Sequence, residues 1–203
     1  DVAALTPAKA KETRAMLNGF GLDISSLGYY PNPLHPEAEH RAAVIAHLKK
    51  VIEGAALLEV PVVGTFIGKD KNKTVEQNLE EYAKVWTPIA QFAKERGVKI
   101  GIENCPMLFS YDEWPGGNNL ASTPAIWRKM WEIIPDEHFG LNLDPSHLIL
   151  QMIDYERVVR EFSSRIFHVH AKALHIDREG LYQHGALSQG MGWQVPRLPG
   201  LGD

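Results

Sequence analysis

The chain has a single cysteine, Cys105, in 203 residues, so no internal disulfide framework braces it and its chemistry fits a reducing compartment. It has no apolar run approaching the roughly 18 residues of a membrane span, and its opening residues lack the basic-then-apolar profile of a secretion signal. These absences set the expectation of a cytoplasmic protein with no membrane partner. An excess of positive charge is missing too. With 21 Lys and Arg against 25 Asp and Glu, the formal net charge is -4, which gives no electrostatic reason to expect nucleic acid. Neither GxGxxG nor GxxxxGKS/T follows a strand-like run, which removes the usual nucleotide-binding forms of an open sheet.

What is present is ordinary globular material, 44% hydrophobic and 23% charged, enough for one domain over residues 1–203. Thr6-Pro7 starts a first helix and Asn18-Gly19 stops it. GLDISSLGYY reads as strand, and a helix after Pro36 carries Ala38, Ala42, Ile45, Leu48, Ile52 and Ala55 as its inner stripe. VPVVGTFIG is apolar throughout, as in a strand covered on both faces. Thr74 and Gln77 form a capping box for a helix with Val75, Leu79, Tyr82, Trp86, Ile89 and Ala93 inward and a kink expected at Pro88. VKIGIEN is the next strand. A long loop follows, in which Trp114 and Pro115-Gly116-Gly117 suit a lid over a sugar ring or a surface loop packed by its own aromatics.

Thr123-Pro124 then opens a helix with Ile126, Trp127, Met130, Trp131 and Ile134 inward. FGLNL is strand, followed by a short turn and a helix from Asp154 with Tyr155, Val158, Val159 and Phe162 inward, then the strand in RIFHVHAK. Residues 173–203 read as loop with a short hairpin. Five strand starts, near residues 22, 61, 98, 139 and 165, alternating with helices predict an α/β fold with a parallel sheet.

Three of these strands end in reactive groups: Glu103 and Asn104, then Asp144 with His147 close behind, then His168, His170 and Lys172. Chemistry gathers at the C-terminal ends of parallel strands, and three successive loaded ends favour a closed barrel over an open sheet. Two carboxylates and an imidazole suit a divalent ion, with Mn, Mg, Co and Zn all admissible. Each residue also has a plain structural use: Glu103 capping a loop, Asp144 as the turn residue before Pro145, His147 at a helix start, Lys172 solvated. Alternation points His168 and His170 to one face without choosing between them. Cys105 has no local base, so packing is its expected role.

The segments IGIENCPM, GLNLDPSHL, HVHAK and RLPGLGD, in that order, resemble the sugar phosphate isomerase/epimerase family of xylose isomerase-like TIM barrels, which also contains inosose dehydratases and apurinic endonucleases. The resemblance implies a TIM barrel, incomplete here at both ends with about five βα units present, and hence a piece of a longer chain. It implies a metal held by Glu103, Asp144 and His170 plus a glutamate beyond Asp203, with His168 packed or supporting. It implies an isomerase or epimerase of a sugar, keto-sugar or sugar phosphate, with Glu103, His147 and Lys172 in catalysis and His147, Lys172, Asn104 and Trp114 against the carbohydrate. Ala173 departs from the Asp that many relatives carry after the lysine. The alternatives are a DNA phosphodiesterase, a keto-inositol dehydratase and a non-catalytic barrel. Phe66, standing where a nuclease would need a histidine ligand, counts against the first. Unpaired edges on an open piece predict further strands or a second copy of the chain beside them.

Overall fold

The computed structural model describes residues 2–107, 117–186 and 192–203. Helix α1 (Pro7–Gly19) is capped by Thr6, whose hydroxyl accepts the Lys9 N–H. Strand β1 (Leu27–Tyr29) leads to α2 (Ala38–Leu58), β2 (Val62–Thr65), α3 (Val75–Lys94), β3 (Lys99–Glu103), α4 (Pro124–Ile133) and β4 (Phe139–Leu143). Two short helices, α5 (Pro145–Leu150) and α6 (Tyr155–Phe162), precede β5 (Ile166–Val169); β6 (Ala173–Ile176), α7 (Arg178–His184) and β7 (Gln194–Arg197) follow. Strands β1 to β5 form one parallel sheet in chain order, an arc of a TIM barrel with its helices outside. Strands β6 and β7 pair separately as an antiparallel hairpin, so β1 and β5 are edges among the described residues.

The core lies between the sheet and α2, α3, α4 and α6. Leu48, Ile52, Tyr82, Trp86, Ile89, Trp127 and Phe139 are fully buried there, and each large apolar side chain so placed stabilises the fold by about 1.5–3 kcal/mol. The two central indoles also satisfy their N–H groups, Trp86 on the Ile67 carbonyl at 3.1 Å and Trp127 on the Ala121 carbonyl at 2.7 Å. The capping box at Thr74 and Gln77 is complete, and α3 runs through Pro88 as one assigned helix.

Several local expectations are corrected. The first strand begins at Leu27, not near residue 22. Ala38 and Ala42 are exposed, and the buried stripe of α2 is Val44, Leu48, Val51, Ile52, Ala55 and Leu58, because the helix meets the core only from its second turn. Tyr155 and Val159 stand outside the inward face of α6, at 36% and 43% exposed. The short turn after β4 is α5, and the final loop contains α7, capped by Asp177 through the Glu179 N–H. Both helices have fewer than nine residues, too short for a periodic stripe to show.

Candidate metal centre

The interior face of the sheet is built in layers. Gly28, Gly64, Gly101 and Gly140 pair in one register row across β1 to β4. One step along the strands, Glu103 pairs with Asn142 and Asn142 with His168. Period-two alternation puts Tyr30, Phe66 and Glu103 on the same face as the glycines, and one step further Cys105, Asp144 and His170. The glycine row is the floor that admits the larger groups. A Cβ on Gly64 would stand 2.8 Å from the Tyr30 hydroxyl and 3.2 Å from Asn142 Nδ2.

Two buried asparagines fix the strand ends. Asn104 donates to the Asp144 carbonyl at 3.0 Å and accepts the Asp144 N–H at 2.7 Å, locking β3 to β4. It is 0% exposed, and both of these hydrogen bonds go to the backbone of Asp144. Asn119 donates to the carbonyls of Glu103 and Cys105, at 2.9 and 2.7 Å, and accepts the Ile67 N–H at 3.1 Å, tying β3 to the end of β2.

Glu103, Asp144 and His170 converge: each offers a ligand atom, and the three atoms lie within 4.8 Å of one another. Asp144 is fully buried, and its Oδ1 accepts from the backbone N–H and hydroxyl of Ser146, at 3.0 and 2.6 Å. Its Oδ2 is a buried oxygen without a directed hydrogen bond. The Lys172 ammonium stands 2.6 Å from that oxygen as a charge partner, off the hydrogen-bonding direction, and the half-exposed lysine reaches it from the mouth. A buried anionic oxygen with no directed hydrogen bond, faced by the side chains of Lys172 and His147, is what a metal ligand presents, so the donor set fits a divalent ion.

His170 directs Nδ1 to Glu103 Oε2 at 3.4 Å, and its Nε2 meets Asn142 Nδ2 at 3.1 Å. His168 lies on the other side of the same amide, with Nδ1 3.0 Å from Asn142 Oδ1 and Nε2 3.1 Å from the Ser25 hydroxyl. It thus supports His170 through Asn142. Burial and the neighbouring His170 lower its pKa.

His147, on α5, places Nε2 3.4 Å from Glu103 Oε1 and 3.3 Å from Asp144 Oδ2. Burial works against its cation, but hydrogen bonds to Cys105 and Glu103 and the charges of Cys105 and Asp144 outweigh that and hold it up at about 9. Tyr30, stacked on Phe66 with ring centroids 4.9 Å apart, receives a 3.4 Å hydrogen bond from Asn142. Burial and the Glu103 charge push its phenol up to about 12, against the hydrogen bond from Asn142.

The expected trio is therefore brought together, with His147 and Lys172 beside it, while Trp114 and most of the expected lid lie outside the described residues. Sequence reasoning missed Tyr30, Asn119 and Asn142, and gave Cys105 to packing alone. Cys105 is buried, yet it also belongs to a second group of potential ligands with Glu103 and His147. Its position two residues beyond Glu103 was the available signal, since both then share a face.

Residues 1–196 match the model of a family described as xylose isomerase-like TIM barrel. Comparison with curated proteins returns no match. Among solved structures, the chain is similar to a xylose isomerase domain protein from Planctomyces limnophilus at 16% identity and a TM-score of 0.72, covering 98% of this chain and 68% of that one. It is similar to 3-keto-D-glucoside 4-epimerase from E. coli at 13% identity and a TM-score of 0.66, covering 81% and 64%. A third likeness is to the IolI protein with a binding zinc atom, at 18% identity and a TM-score of 0.63, covering 83% and 60%. At these identities the likeness speaks for the fold. The chain spans about three fifths to two thirds of the length of these proteins.

Proposed function

The chain belongs to the xylose isomerase-like TIM barrel family, and on that premise we propose that its site is a divalent-metal centre that isomerises or epimerises a sugar or keto-sugar by moving a proton next to a carbonyl. The observation that carries the reading is the convergence of Glu103, Asp144 and His170 within 4.8 Å from the ends of three consecutive strands. Two carboxylates and one imidazole suit Mn, Mg, Co or Zn, and one structural relative carries zinc. A divalent ion bound there would withdraw charge from a substrate carbonyl and acidify the neighbouring carbon.

The protein's own groups account for the rest. Glu103, 7% exposed and facing the interior, is the base that takes the proton. His147, with Nε2 3.4 Å from Glu103 Oε1 and 3.3 Å from Asp144 Oδ2, is placed to donate a hydrogen bond to a substrate oxygen as charge builds on it. Lys172 is paired with Asp144 Oδ2. From the mouth, its half-exposed ammonium would meet a substrate oxygen or phosphate. For His170 to offer Nδ1, its proton must reside on Nε2, and turning the Asn142 amide over supplies the acceptor. Tyr30 and Phe66 form an aromatic wall for a sugar ring. The sugar epimerase among the structural relatives supports a carbohydrate substrate.

The test is solvent-deuterium exchange into the carbon next to the carbonyl across a panel of keto-sugars, with Mn, Mg, Co and Zn each supplied. Exchange that vanishes with chelator and in Glu103→Gln is expected. Cleavage of abasic DNA with no exchange on any sugar would overturn the assignment.

A further inference from the structure

We propose that Asn142 is a two-way positioning residue for His170: when an ion takes Nδ1 of His170, the Asn142 amide turns over and the proton of His168 passes from Nδ1 to Nε2. The inference rests on the reading of His170 as a metal ligand and goes beyond it, assigning a second orientation to a buried side chain that is not itself a ligand.

Among the described residues, Asn78, Asn104, Asn119 and Asn142 are all at most 3% exposed. Backbone groups of fixed polarity hold three of these amides one way round. Asn78 donates to the Asp70 carbonyl and accepts its N–H, and Asn104 does the same with Asp144. Asn119 donates to the carbonyls of Glu103 and Cys105 and accepts the Ile67 N–H. Asn142 differs. Its side chain meets the Tyr30 hydroxyl and the imidazoles of His168 and His170, each able to donate or to accept. Both orientations of its amide are therefore satisfiable, and the tautomers of the two rings decide between them.

Asn142 Nδ2 stands 3.1 Å from His170 Nε2 and 3.4 Å from the Tyr30 hydroxyl. An amide nitrogen only donates, so His170 accepts at Nε2 and carries its proton on Nδ1, which faces Glu103 Oε2 at 3.4 Å. On the other side Asn142 Oδ1 accepts from His168 Nδ1 at 3.0 Å, leaving His168 Nε2 to accept from the Ser25 hydroxyl at 3.1 Å.

An ion on His170 Nδ1 needs that nitrogen's lone pair, so the proton must move to Nε2, where it would meet an N–H of Asn142. Two buried donors face to face leave both unsatisfied. Turning the amide over puts Oδ1 against His170 and Tyr30 and Nδ2 against His168. His168 must then accept at Nδ1 and donate from Nε2 to Ser25. Each ring gives up one proton and takes one, so no net charge is created on them. The glycine row leaves room for the turn: a Cβ on Gly64 would stand 3.2 Å from Asn142 Nδ2, and one on Gly101 would stand 3.3 Å from Asn142 Cβ. As donor in one orientation and acceptor in the other, Asn142 holds the His170 ring in place with or without the ion.

The test is long-range proton–nitrogen correlation spectroscopy of the full chain labelled at histidine, at about pH 8, without metal and with one equivalent of zinc. The rings are assigned through their backbone. Without zinc, both His168 and His170 should carry the proton on Nδ1; with zinc bound, both protons should stand on Nε2, so the two nitrogen signals of His168 exchange places. In Asn142→Asp, where oxygens alone face both rings, zinc should leave the His168 proton on Nδ1. Zinc held by His170 with the His168 proton unmoved in the wild type would overturn this proposal and leave the metal centre standing. A His168 shift in Asn142→Asp equal to that of the wild type would also overturn it, since the amide would not be the link. Absence of zinc binding would overturn both this proposal and the metal-centre reading. Should Asn142→Asp fail to fold, the wild-type comparison alone decides.

Discussion

Raising the pH of the metal-free protein from about 6 to about 9.5 should cost stability, and His147 sets how much. Its folded pKa is raised from 6.5 to about 9. In that window the native state therefore binds more protons than the unfolded chain, and the slope of unfolding free energy with pH is negative. The contribution is fully present below pH 6.5 and lost as pH rises through about 9. A shift of about 2.5 units at about 1.4 kcal/mol each gives about 3–4 kcal/mol as a ceiling for this residue. Its side chain is 18% exposed, so solvent screening takes little of that away. For a chain of this length the melting temperature should fall by at most about 6–16 °C. Tyr30 titrates higher, at about 12, so stopping below pH 10 keeps its loss out of the measurement. The assay is thermal or urea unfolding in chelator across that range for the wild type and His147→Gln. Equal slopes for wild type and His147→Gln would refute the argument.

Three further outcomes follow from the geometry. Glu103→Gln should lower the solvent-exchange rate by about 10²–10⁴, measured by deuterium uptake under saturating metal, since it removes the proposed base. Asn104→Ala should destabilise by about 2–4 kcal/mol in urea unfolding, because it strips partners from the N–H and C=O of buried Asp144. Gly140→Ala should cost at least about 3 kcal/mol, since its Cβ would stand 2.2 Å from the Arg165 carbonyl oxygen, whereas Gly19→Ala meets nothing within 4 Å and should stay within about 0.5 kcal/mol of wild type.

The sequence by itself determined the alternation of helices and strands, the capping boundaries of α1, α3 and α6, and the loading of three strand ends with reactive groups, while the choice of His170 over His168 as a proposed ligand came from the family resemblance. These are legible because they rest on local rules: a cap lies within one turn of its helix, and a reactive residue at a strand's end is carried to the mouth wherever that strand sits. Tertiary structure decided the rest. Ala38 and Ala42 had the right period but lie beyond the reach of the core, and no periodicity records where a helix first meets its sheet. The glycine row beneath Tyr30 exists only once four strands are in register. Asn142, two histidines and Ser25 become one hydrogen-bonded chain only after β1 and β5 are brought to the same interior. Cys105 is an unremarkable buried thiol in the sequence. It becomes a candidate ligand because α5 turns His147 back over the end of β3, an encounter between residues 42 positions apart that registry and packing create.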